Sequence, residues 1–190
     1  MRSNRLQLYA DKTEVMWCSS TSKLSQLPSC LFNIAGALVC RVNADRDLGV
    51  FIDNDLGAAT HVWRTVSCCF ATLRQLRHLR RYVTDDCFRS LVVSLVHSRL
   101  DYGHSVLVRL PAYLQRRLQS VLSGAAHLLF RLSHCDHVSD ALATLHWLRL
   151  PQRVDFKVAV MALRVLHGLA PNLNYLVRVA DLPGRRRLRS

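Results

Sequence analysis

The stretch His61-Val62-Trp63-Arg64-Thr65-Val66-Ser67-Cys68-Cys69-Phe70-Ala71-Thr72-Leu73-Arg74-Gln75-Leu76-Arg77-His78-Leu79-Arg80-Arg81 decides how this chain folds. Val62, Val66, Cys69, Leu73 and Leu76 recur at intervals of three and four, which makes one apolar stripe on an amphipathic helix. Arg74, Arg77, His78 and Arg81 fall beside that stripe, on the adjoining face. Arg74, Arg77 and Arg81 are spaced by three and four and so stand in a row along one side. Arg80 returns in helical phase towards the apolar side.

Downstream the helical period persists. Thr84 is placed to cap a second helix, with Asp85 and Asp86 favourable in its first turn and a stripe of Phe88, Leu91, Val92, Leu95 and Val96. A third helix is expected from Pro111, with Leu114, Leu118, Val121, Leu122, Ala125 and Leu128 inward. A short fourth covers Ser139 to Trp147. Pro151 opens a fifth, with Val154, Val158, Met161, Ala162 and Val165 inward and Gly168 as its stop.

Upstream the pattern is that of strands. Thr13-Glu14-Val15-Met16-Trp17-Cys18 alternates until a Ser/Thr cluster breaks it. Leu31 to Ile34 and Leu38 to Val42 flank Ala35-Gly36 as a hairpin. Asp47-Leu48-Gly49-Val50-Phe51-Ile52-Asp53 reads as a further strand, and Asn54-Asp55-Leu56-Gly57 turns the chain. The expected fold is α+β and mostly α. A small N-terminal β-hairpin remnant (1–55) precedes a bundle of about five helices (56–182) and a basic tail (183–190).

Charge divides the chain at the same point. Residues 1–55 hold six basic and six acidic side chains and are neutral. The rest holds 20 of the 26 basic and 7 of the 13 acidic groups, so the whole net charge of +13 lies after residue 55. Of those 20, only Lys157 is not arginine. Guanidinium forks match phosphate oxygens bidentately, and a nucleic-acid partner is the functional reading of the asymmetry. The seven cysteines are irregularly spaced with no C-x-x-C pair, which signals neither a zinc ribbon nor a disulfide framework. They are expected to be mostly small buried thiols. His134-Cys135-x-His137, with His127 or His146 to complete a set, lacks a recognised zinc spacing and reads as a polar loop between the third and fourth helices. No apolar run approaches the ~20 residues that span a bilayer. Behind Met1-Arg2-Ser3-Asn4 there is no apolar signal core, so an intracellular setting, cytoplasmic or nuclear, is expected.

Three stretches in order carry a family resemblance. They are Leu6-Gln7-Leu8-Tyr9-Ala10-Asp11-Lys12-Thr13-Glu14; the Asp47-to-Asp53 stretch followed by His61; and Ser98-Arg99-Leu100-Asp101-Tyr102-Gly103, with Leu145-His146-Trp147-Leu148 and His167-Gly168-Leu169-Ala170-Pro171 beyond it. Together they resemble the C-terminal part of reverse transcriptases of non-long-terminal-repeat retrotransposons, of the jockey or chicken-repeat type. The resemblance implies that Lys12 belongs to a loop near the incoming nucleotide in the intact enzyme. It implies that Leu48, Gly49 and Val50 belong to the primer grip, and that the helices form the thumb that holds a template–primer duplex. Tyr9 stands where the family usually has asparagine, and Arg149 where it commonly has proline.

Such enzymes hold two Mg²⁺ ions with palm aspartates. Tyr9-Ala10-Asp11-Lys12 places a lysine where a metal ligand is needed, and Tyr82-Val83-Thr84-Asp85-Asp86 lies between helices, where capping explains it. The expectation is an RNA-directed DNA polymerase fragment without catalytic residues, metal site or cofactor of its own, the palm domain being elsewhere. An RNA–DNA or DNA duplex is its expected partner, held by Arg74, Arg77 and Arg81, with no membrane and no small-molecule substrate. The alternatives are a nonenzymatic basic helical module that binds nucleic acid, and a purely structural bundle.

Overall fold

The computed structural model describes residues 12–19, 21–24, 26, 32–34, 36–103, 106–108, 110–133 and 136–169. The tail at 183–190 and most of the Leu6-to-Glu14 motif lie outside them. The fold is α+β and mostly α.

After a single helical turn, α1 (Thr21–Leu24), come two antiparallel hairpins: β1 (Phe32–Ile34) with β2 (Ala37–Val39), and β3 (Ala44–Asp47) with β4 (Val50–Asp53). The first turns through Gly36, at φ +90°, as expected. The second corrects the reading of Asp47 to Asp53 as one strand. Leu48 (φ +46°) and Gly49 (φ +87°) are its two-residue turn, and two positive φ values in succession match the right-handed twist of the flanking strands. The strand expected at Thr13 to Cys18 is also corrected. That segment makes one isolated parallel bridge, Val15 to Arg41, with no ladder on either side.

Helix α2 (Ala59–Leu79) buries Val62, Val66, Cys69, Leu73 and Leu76, the stripe its periodicity predicts. Its N-cap residue Ala58 has no side-chain acceptor. Asp53, at the end of β4, supplies one from outside: its Oδ2 accepts from the backbone N–H of Thr60 at 3.1 Å. A carboxylate there satisfies an orphan donor and faces the positive end of the helix dipole. The second hairpin is thereby joined to the bundle.

Helix α3 (Asp85–Val92) begins at Thr84, whose hydroxyl accepts from Cys87 N. It runs through a π-helical turn (Val93–His97) into α4 (Ser98–Leu100) as one rod. The residues fully buried on it are Phe88, Val92, Val96 and Leu100, every fourth position. On an uninterrupted α-helix that spacing drifts round the axis; the π turn absorbs the drift with its wider pitch. Leu95, expected inward, is 40% exposed for the same reason.

Helix α5 (Ala112–Phe130) follows Pro111 and buries Leu114, Leu118, Val121, Leu122 and Ala125. It ends on Arg131 in the left-handed region (φ 54°), where Leu132 N bonds back to His127 O at 3.0 Å. Helix α6 (Val138–Thr144) stops short of Trp147 because His146 turns left-handed at φ 55°. Helix α7 (Leu150–Leu166) closes on Gly168 (φ 68°), with Leu169 N bonded to Arg164 O and Gly168 N to Val165 O. That pair of bonds is the Schellman arrangement that a glycine after a helix favours. Leu150 and Val154 of α7 are buried, whereas Met161, expected inward, is 56% exposed because it lies beyond the end of the core.

Helices α2, α3–α4, α5 and the start of α7 share one core. Fully burying each of its larger side chains, such as Phe88, Leu118 and Leu122, contributes roughly 1.5–3 kcal/mol. Among the five described cysteines only Cys69 is buried, which corrects the expectation of mostly buried thiols. Burial pushes the Cys69 thiol up to about 11.

Candidate nucleic-acid interface

Helices α2 and α5 lie side by side. Trp63 meets Arg117, Phe70 meets Gly124, and Arg80 reaches the carbonyl of Leu129, so the two run in the same direction. At Gly124 a β-carbon would stand 3.3 Å from the Phe70 ring, and its absence lets the helices close up. Beyond this contact they part into a groove of about 660 Å³.

One wall of the groove carries Arg74 and Arg77 from α2, with Arg81; the other carries His127 and Arg131 from α5 and its C-terminal turn. The floor is apolar, with Leu73 and Leu128. Among the described residues no acidic side chain lines it. Arg74, Arg77, Arg81 and Arg131 are all exposed. The three arginines expected to act together do come together. Arg81, expected on the first helix, lies two residues past its end, in the turn that follows.

Arg80 has a different task. Its side chain is only 11% exposed, lies over the Phe88 ring at 4.6 Å and pairs with Asp85 at 2.7 Å. The Arg80 hydrogen bond and charge hold the Asp85 carboxyl below its ordinary range against the opposing effect of desolvation, with lesser help from Arg131 and Arg89. The Asp85-Asp86 pair therefore sits in a capped helix start, and Asp85 answers an arginine. Among the described residues no three His, Cys, Asp or Glu side chains gather as a metal-holding group. His134 and Cys135 lie outside the described residues.

The motif residues of the second and third stretches meet elsewhere. Tyr102 donates its hydroxyl to the carbonyl of Leu48, and its ring lies where a side chain on Gly49 would be, 3.2–3.3 Å from that position. Gly103 (φ 72°) leaves room for Val50, 3.1 Å from where its β-carbon would stand, and for His61 at 3.8 Å. His61 is buried in the first turn of α2, and burial lowers its imidazole below the ordinary 6.5. Leu48 itself is 85% exposed at the hairpin tip. Asp101 receives two bonds from Arg153, at 2.5 and 2.6 Å, and Arg153 also reaches Nδ1 of His97 at 2.9 Å. The His97 ring packs on Trp147 at 4.3 Å. Burial raises the Asp101 carboxyl, but the Arg153 bonds and charge, with His97 and Lys157, outweigh it and leave the group below its ordinary range.

Leu48, Gly49, Val50, Asp101, Tyr102, Gly103 and Trp147 thus serve to dock the hairpin and the end of the α3–α4 rod onto the bundle. Lys12 is exposed near the beginning of the described residues and does not line the arginine groove. No protein-family model, curated protein or solved structure matches the chain.

Neither His127 nor Arg131 is placed on a nucleic-acid face by the sequence alone. Arg117 and Gly124 stand seven residues apart on one side of α5, with Arg131 seven further on and just past its end, but which helix that side faces depends on tertiary packing. No helix among the described residues is long and apolar enough to cross a membrane.

Proposed function

We propose that this chain is the thumb and adjoining C-terminal part of a retrotransposon reverse transcriptase, and that its own task is to hold a nucleic-acid duplex by the backbone. The observation that carries this is the groove between α2 and α5, where Arg74, Arg77, Arg81 and Arg131 converge with no carboxylate among the described lining residues. Guanidinium groups in a row suit a row of phosphates, and such contacts position a duplex without reading its sequence. The ordered motifs ending in Asp101-Tyr102-Gly103 and Leu145-His146-Trp147-Leu148 support the family, and the helical architecture suits a thumb. Lys12 and the primer-grip segment Leu48-Gly49-Val50 keep family roles only within an intact polymerase.

The second reading, a nonenzymatic basic module that binds nucleic acid, rests on the same groove without the ancestry. Competition between an RNA–DNA duplex and plain single strands separates them: a thumb prefers the duplex, and a generic basic surface takes both alike. Primer extension by the purified chain with Mg²⁺ or Mn²⁺ is expected to stay at buffer level. Extension that survives repurification would overturn the account of what these residues do alone.

A further inference from the structure

A second groove, of about 560 Å³, opens nearer the start of α2 and is lined by Arg46, Phe51, Trp63, Arg64 and Ser67. Its character differs from that of the arginine groove, because here cations lie on aromatic rings. Arg64 stands over the Phe51 ring at 4.3 Å, and Arg46 approaches the same ring at 5.9 Å. Arg117, from α5, stands over the Trp63 ring at 4.3 Å, and Trp63 is still 43% exposed. Lone exposed aromatics need no explanation, but a part-exposed indole backed on one face by Arg117, in a groove where two further guanidiniums lie by Phe51, has the chemistry of a base-stacking platform.

The two grooves are in line. Trp63, Ser67, Phe70, Arg74, Arg77 and Arg81 succeed one another at intervals of four and three, so the residues on α2 share one face of it. Ser67 lines one groove and Phe70 the other. From Trp63 to Arg77 the helix rises roughly 20 Å, about six phosphates of one duplex strand. Phosphate-binding arginines therefore occupy one end of a track, and a π surface the other.

We propose that Trp63, backed on one face by Arg117 and with the Phe51–Arg64 pair beside it, stacks an unpaired base on its other face, so that the ligand of this face is a duplex carrying a single-stranded extension. This rests on the reading of Arg74, Arg77 and Arg81 as phosphate contacts. Within a duplex the faces of the bases are covered by their neighbours, so only an unpaired or terminal base can meet the indole. The extension continues past the last base pair along α2 towards Trp63, and its first free base settles on the ring. Stacking is indifferent to base identity, because every base has a π face.

The test compares three labelled duplexes by fluorescence anisotropy: blunt, with a short unpaired extension, and with the same extension made abasic. The wild-type chain should bind the extended duplex roughly thirtyfold more tightly than the blunt one, the mid-range for one base stacked on an aromatic ring. The abasic extension should give little of that gain. Trp63→Leu should reduce the extended duplex to blunt-duplex affinity, and Trp63→Phe should keep most of the preference. Both variants are checked for retained helical circular dichroism. Arg74→Gln with Arg77→Gln should weaken blunt and extended duplexes by the same factor. Equal wild-type affinity for blunt and extended duplexes, an abasic extension as good as the normal one, or a preference that survives Trp63→Leu would overturn the stacking site and leave the phosphate groove standing. Failure to bind any duplex would overturn both.

Discussion

Replacing Arg153 by methionine tests whether the Asp101-Tyr102-Gly103 motif holds the bundle together. Arg153 gives Asp101 two bonds, at 2.5 and 2.6 Å, with side chains only 13% and 24% exposed. Removing one partner of a fully buried pair costs about 3–5 kcal/mol, because the other charge is left behind. Two features reduce that here: Asp101 keeps some contact with water, and Lys157 stands 3.5 Å from its Oδ2. Methionine also retains much of the apolar stem. The expected loss is about 2–3 kcal/mol. With a urea slope of about 1.5 kcal/mol/M, the unfolding midpoint should fall by about 1–2 M.

The pair should also show in a cycle. Asp101→Asn combined with Arg153→Met should cost less than the two single changes together, by about 1 kcal/mol or more. The sign with pH is fixed by the depressed Asp101 carboxyl. Its contribution is complete above the ordinary value of 3.8 and is lost as pH falls through the lower folded value. Arg153→Met should bring the acid transition to higher pH. A midpoint within about 0.3 M of wild type, or strictly additive changes in the cycle, would refute the claim that this pair anchors the rod to α7.

Two further outcomes follow from local geometry. Asp53→Ala removes the acceptor for Thr60 N and should cost about 1 kcal/mol by urea unfolding, while Asp53→Asn should recover most of it. His61 is buried with its imidazole below 6.5, so the unfolded chain takes up a proton that the folded chain resists. Its contribution is intact above 6.5 and is lost as pH falls from there through the depressed folded value, so the wild-type midpoint should decline as pH falls below 6.5 and that of His61→Leu should decline less.

Much of the fold was legible because apolar period is a local signal. The α2 stripe, the Thr84 cap, the Pro111 start and the Gly168 stop each depend on residues within one helix or its ends. What was misread depended on exceptions to the period. Leu48-Gly49-Val50-Phe51-Ile52 looks like a continuous apolar strand, yet Leu48 adopts φ +46° at a hairpin tip, which few leucines do. Gly49 was the signal, since a two-residue turn of this kind favours glycine at its second position. Leu95 was misplaced because a π turn leaves no mark in composition. Met161 was misplaced because helix periodicity does not say where the partner helix ends.

The candidate site divides in the same way. The row Arg74, Arg77, Arg81 was legible from α2 alone, but His127 and Arg131 on the far wall required knowing that α5 lies alongside α2. The fate of Arg80, folded back onto Phe88 and Asp85, was partly legible from helical phase.

The salt dependence of duplex binding tests the central claim most directly. Affinity for an RNA–DNA duplex is measured across a range of salt for the wild type and for Arg74→Gln/Arg77→Gln/Arg81→Gln, with helical content checked in both. If each arginine neutralises one phosphate, the triple change should flatten the slope of log affinity against log salt by about 2–3, near 0.9 per contact on a B-form duplex, and weaken binding evenly across sequences. A folded triple variant with the wild-type affinity and slope would show that the groove between α2 and α5 is not where this chain meets nucleic acid.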